Sequence, residues 1–84
     1  MTPVIRREHL EKLLGSAERN PVLVVSGGRA EVVSADAADS GEHAGAVPIA
    51  SRDALVEELG ASLNEEQLDQ LAERLDAAFR NMGG

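Results

Sequence analysis

The sequence predicts an α+β domain, a small antiparallel β-hairpin or three-stranded sheet packed against helices in the order α-β-β-(β)-α-α. Three observations lead there. A valine-rich run, Val22 to Val25, is followed by Gly27-Gly28 and by a second short run from Ala30 to Val33. Apolar residues recur at three- and four-residue spacing before this hairpin and again near the end of the chain. The 84 residues, 43% hydrophobic and 27% charged, suit one domain (1–84) with a modest core.

The first element is a helix over about residues 3–19. Thr2 is its N-cap and Pro3 fits the first helical position, where a missing N–H costs nothing. Leu10, Leu13, Leu14 and Ala17 form its apolar face, and Ile5 reaches the Leu13 side through His9. Gly15 weakens the interior, so the helix either ends there or runs on to Arg19, and Asn20-Pro21 stops it in both cases. The hairpin occupies 22–34. A two-residue glycine turn sets Ser26 opposite Arg29, Val25 opposite Ala30, Val24 opposite Glu31, Leu23 opposite Val32 and Val22 opposite Val33. Leu23, Val25, Ala30 and Val32 then share one apolar face, which meets the core. The other face is mixed and carries Val22, Val24 and Val33.

Residues 35–46 read as a loop, without period and rich in Asp, Ser and Gly. A short strand follows at 47–50. Pro48 lacks an N–H, so this strand is an edge or a strap. Ser51 caps a two-turn helix at about 52–59, with Leu55 and Leu59 inward and Gly60 as its stop. The last helix, about 65–82, has Asn64 as N-cap, Gln67 completing a capping box and Leu63 stapled onto Leu68. Leu68, Leu71, Ala72, Leu75, Ala78, Phe79 and Met82 make its stripe, ended by Gly83.

Charge is unevenly placed. The total is −7, yet residues 1–34 hold five bases against four acids and residues 35–84 hold three bases against eleven acids. The acidic half repels a phosphate backbone, and Phe79 is the sole aromatic, so nucleic acid is not the expected primary partner. No cysteine is present, which removes disulfides and thiolate metal ligands. No targeting or membrane-spanning segment is evident, and the arginine-rich basic set is of a bacterial, high-GC kind. A cytoplasmic location is expected.

No catalytic, cofactor or metal residues are assigned. Gly83-Gly84 is like the tail of ubiquitin-like sulfur carriers, but it follows a helix where theirs follows a strand, so a helix C-cap explains it. The segment Asp36 to His43 breaks a calcium-loop pattern at Ala38 and Val47, and its Asp39, Ser40 and His43 lack any element to hold a triad. His9 reads as a boundary residue packing its ring. An acidic row, Glu65, Asp69, Glu73 and Asp76, lies opposite the leucine stripe, and with Asp53, Glu57 and Glu58 it forms the candidate face for a basic partner. One hairpin offers few side chains against a stripe of seven. Self-association, most simply as a homodimer, is therefore expected through Val22, Val24, Val33, Phe79 and Met82.

The leading expectation is a non-enzymatic protein–protein interaction or regulatory module that binds a protein partner or itself. Two alternatives stand beside it. A helix followed by a Val-rich hairpin with a glycine turn is similar in outline, over about 35 residues, to the N-terminal part of Phd/YefM antitoxins. That resemblance implies a transcriptional regulator with a DNA-reading N-terminal half and an acidic partner-binding half. The second alternative is a metal-binding protein or enzyme using the 36–43 loop.

Overall fold

The hairpin forms where its turn chemistry places it. The computed structural model describes residues 3–39, 45–60 and 62–83. In it, β1 (Pro21–Ser26) and β2 (Arg29–Ser34) pair antiparallel, with Ser26 opposite Arg29, Leu23 opposite Val32 and Val22 opposite Val33. Gly27 and Gly28 have φ of 60° and 80°, the left-handed pair that a primed two-residue turn requires. A third strand, β3 (Val47–Ser51), joins the free side of β1, so the sheet order is β2-β1-β3. All its pairings are antiparallel, and the class is α+β. The ladder slips between Leu23, opposite Ala50, and Val24, opposite Pro48, which leaves Ile49 as the bulged residue. Pro48 and the bulge together blunt this edge against further pairing.

Four helices complete the order α-β-β-α-β-α-α: α1 (Arg7–Leu14), α2 (Ala35–Asp39), α3 (Arg52–Leu59) and α4 (Glu65–Gly83). Helix α1 starts later than the spacing predicts and takes the earlier of its two expected ends, with Gly15 as C-cap, and Thr2 lies outside the described residues. Residues 3–6 bend away because the N–H groups of Val4 and Ile5 both donate to Asp76 of α4, at 2.9 and 3.1 Å. The helix opens instead at Arg7, where His9 Nδ1 accepts the Arg6 N–H at 2.9 Å. At its far end Gly15 donates to Glu11 O, and the chain leaves the helical path before Asn20, which sits at a φ of 49°. Arg52 anchors this departing segment by donating to Ser16 O at 2.8 Å.

The predicted 35–46 loop is corrected at its start, where residues 35–39 are helical. Ser34 Oγ accepts the Ala37 N–H, and alanines at 35, 37 and 38 favour the turn once it is capped. At α3, Ser51 Oγ accepts the Ala54 N–H as its cap. At α4, Gln67 N–H donates to Asn64 Oδ1 while Asn64 N–H donates to Gln67 Oε1, a reciprocal capping box.

One apolar cluster unites these elements: Ile5, Leu10, Leu13, Leu23, Val25, Leu55, Leu68, Leu71 and Ala72, with Ala30, Val32, Ile49, Leu63, Leu75 and Phe79 packed at its margin. The face of the hairpin assigned to the core from its register is the face that meets it. On the opposite face Val24 is only 1% exposed although it stands outside the cluster. Helix α2 packs against both β1 and β2.

Because an added Cβ at Gly28 meets no atom within 4 Å, replacing it tests the backbone conformation alone. Gly28→Ala is expected to lower stability by about 1 kcal/mol in urea denaturation, whereas Gly27→Asn changes it by less than about 0.5 kcal/mol. Equal losses for the two would contradict the turn assignment.

Candidate functional site

Helix α4 has two flanks with different chemistry. Towards α1 it presents Asp69, Glu73, Asp76 and Arg80; towards α3 it presents Leu71, Arg74, Leu75 and Ala78. Helical geometry makes the division, since residues seven apart (69 and 76, 71 and 78) return to nearly the same angle.

The α1 flank holds the ion pairs of α4. Asp76 is buried, its side chain only 8% exposed, with Oδ1 taking the Val4 and Ile5 N–H groups and Oδ2 paired with Arg80 at 2.9 Å. It is not part of an exposed docking row, and this corrects the sequence expectation. The signal was present: Asp76 falls four residues after Ala72 and three before Phe79, beside the buried stripe and not opposite it. Nearby, Arg7 reaches Asp69 at 3.4 Å and Glu65 and Glu11 at 3.7 Å each, so two more acids of the row face a cation of their own chain. These partners are exposed, and each pair contributes little. A groove of about 610 Å³ runs along this flank, lined by three arginines and three acids that largely neutralise one another.

The α3 flank is left open. A groove of about 480 Å³ lies between α3 and α4, with Leu55, Leu59, Leu71, Leu75 and Ala78 along it and Glu58 and Arg74 among its polar lining. Leu59 does not face inward as its spacing with Leu55 predicts. It is 39% exposed, and a second depression bordered by Leu63, Gln67 and Gln70 extends the apolar surface beyond it. Val56 and Met82 are exposed as well, Met82 at 63%. The reason is leverage: α3 makes barely two turns, so Leu55 fills the available contact with the core and the next turn overshoots it. The protein is also thin, 33 × 32 × 18 Å, and its 5458 Å² of surface exceeds the roughly 4,800 Å² of a typical monomer of this mass.

The remaining candidates are dispersed. Asp53, Glu57 and Glu58 are exposed on α3 and make no ion pair among the described residues. Of the residues expected to mediate self-association, Val22 and Val33 are half-buried on the second sheet face, Val24 has no surface to offer a second chain, Phe79 packs at the core margin, and Met82 stands free. Half-buried His9 caps the start of α1 through Nδ1. Residues 40–44, including Ser40 and His43 of the loop candidate, lie outside the described residues, as does Gly84. Among the described residues no group of three His, Asp or Glu side chains is placed to hold a metal ion, and no helix is long and apolar enough to cross a membrane. Compared with models of known protein families, with curated proteins and with solved structures, the chain matches none.

Asp76 and Asp69, seven residues apart on one helix flank, separate buried from exposed charge. Asp76→Ala is expected to cost about 2–3 kcal/mol because it strands two backbone N–H groups and the Arg80 guanidinium. Asp69→Ala is expected to stay within about 0.5 kcal/mol of the parent. Urea denaturation monitored by circular dichroism checks both, and similar losses would refute the anchoring role of Asp76.

Proposed function

We propose that this protein is a small non-enzymatic interaction module whose working surface is the α3–α4 face. The observation that carries the reading is the apolar groove along Leu55, Leu59, Leu71, Leu75 and Ala78, which the chain's own helices border but do not fill. Scattered exposed leucines are ordinary, but a contiguous apolar channel with a polar rim has the form of a binding surface. Support also comes from the accounting of charge, since Glu65, Asp69 and Asp76 pair with cations of their own chain whereas Glu73 of α4 and Asp53, Glu57 and Glu58 of α3 make no ion pair among the described residues. An antitoxin-like division into a DNA-reading half and a separable acidic tail gains no support from the packing. Leu55, Leu68, Leu71 and Ala72 of the acidic half share one core with Ile5, Leu10 and Leu13.

Leu59→Asp tests the reading without dismantling the fold, because Leu59 is substantially exposed. The variant is expected to keep the melting temperature within a few degrees of the parent and to lose at least about tenfold in affinity for any protein the parent retains on a column. Identical quantitative profiles of retained proteins for parent and variant would reject the α3–α4 face as the working surface.

A further inference from the structure

The α3–α4 groove joins an apolar floor to two opposite charges, one on each wall. Leu55 and Leu59 of α3 and Leu71, Leu75 and Ala78 of α4 make the floor, with Glu58 on the α3 wall and Arg74 on the α4 wall. Both charged residues are exposed, and neither makes an ion pair among the described residues. The acids around them point elsewhere. Asp53 and Glu57 lie on the far side of α3, and Asp69, Glu73 and Asp76 line the flank of α4 towards α1. A protein of net charge −7 thus presents here a face of balanced charge.

We infer that the groove is the contact face of a symmetric homodimer, with a second copy of this chain as its occupant. This rests on the interaction-module reading and names the partner. A two-fold axis running along the groove lays α3 of each copy over α4 of the other. The apolar floors then meet, and Glu58 of each copy comes opposite Arg74 of the partner subunit, so the pair forms twice. Such an axis exchanges the two walls, and one acid facing one base is the arrangement that satisfies it; two acidic walls would repel their own copies. A strongly charged partner of either sign meets one attractive wall and one repulsive wall. Area points the same way. The chain exposes about 650 Å² more than the roughly 4,800 Å² typical of its mass, close to the roughly 800 Å² that each partner buries in a standard interface.

Sedimentation velocity on the full chain, from about 1 μM to about 1 mM, tests the pairing. The parent is expected to show a concentration-dependent dimer whose dissociation constant rises at least about tenfold in Leu59→Asp, in Glu58→Arg and in Arg74→Glu. All three residues are exposed, so the variants are expected to keep the parent's melting temperature within a few degrees. Each charge variant by itself sets like charges against each other across the axis. Mixed in equal amounts, Glu58→Arg and Arg74→Glu bring opposite charges together again, and the mixed dimer is expected to form within about threefold of the parent's affinity. A monomer throughout the range would overturn the inference, as would a dimer that Leu59→Asp leaves intact. A dimer lost in Leu59→Asp but not regained in the mixture would overturn it too, because the two walls would then not exchange. None of these outcomes decides the interaction-module reading, which fails when parent and Leu59→Asp retain the same proteins.

Discussion

Burying a carboxylate is costly unless its oxygens are satisfied, and Asp76 meets that condition by drawing distant chain to itself. Its Oδ1 takes the N–H groups of Val4 and Ile5, more than seventy residues away, and its Oδ2 holds Arg80 one turn along the same helix. Much of the packing follows from this contact. The segment before α1 is pulled off the helical path, Ile5 is set into the core beside Leu10 and Leu13, and α1 is fixed along one flank of α4. Arg7, bridging to Glu65 and Asp69, reinforces the same approach from the solvent side, where charge is screened and counts for less.

The sheet imposes a second constraint. With β1 central and both outer strands antiparallel to it, the chain passes from one edge to the other between β2 and β3. The face towards α1 is occupied by the core, yet Val24 of the opposite face is buried as well, in a position that an amphipathic strand would leave wet. The same topology brings Pro48 to an edge, where its missing N–H leaves no gap in the ladder.

These two constraints use the protein's surfaces unequally. The α1 flank of α4 is dense with compensating charge, and the free side of β3 is blunted by a bulge. The α3 flank has neither form of closure, because a two-turn helix places one leucine into the core and carries the next beyond it. Exposure of Leu59, Val56 and Met82 is thus a geometric consequence of a short helix beside a long one. Glu58 and Arg74 give this apolar groove a polar border.

Local rules settled the elements whose energetics are local. The left-handed turn at Gly27-Gly28, the caps at Ser51 and Asn64, the limits of α3 and α4 and the pairing of β1 with β2 were all legible from adjacent residues, because each depends on backbone geometry within a few positions. The α+β class followed from them. Of the candidate site, the exposed acids of α3 were legible, but the groove beside them was not, since the inward spacing of Leu55 and Leu59 takes no account of how far the core extends. The sequence places Asp76 beside the buried stripe, between Ala72 and Phe79, but gives no sign of the partners that make its burial tolerable. Only tertiary structure brings it two backbone donors and makes it internal. Likewise the shortening of α1, the helical start of the 35–46 segment and the burial of Val24 were decided by contacts between parts of the chain far apart in sequence. Such contacts override local propensity because an unsatisfied N–H or a solvated valine costs more than a lost helical turn.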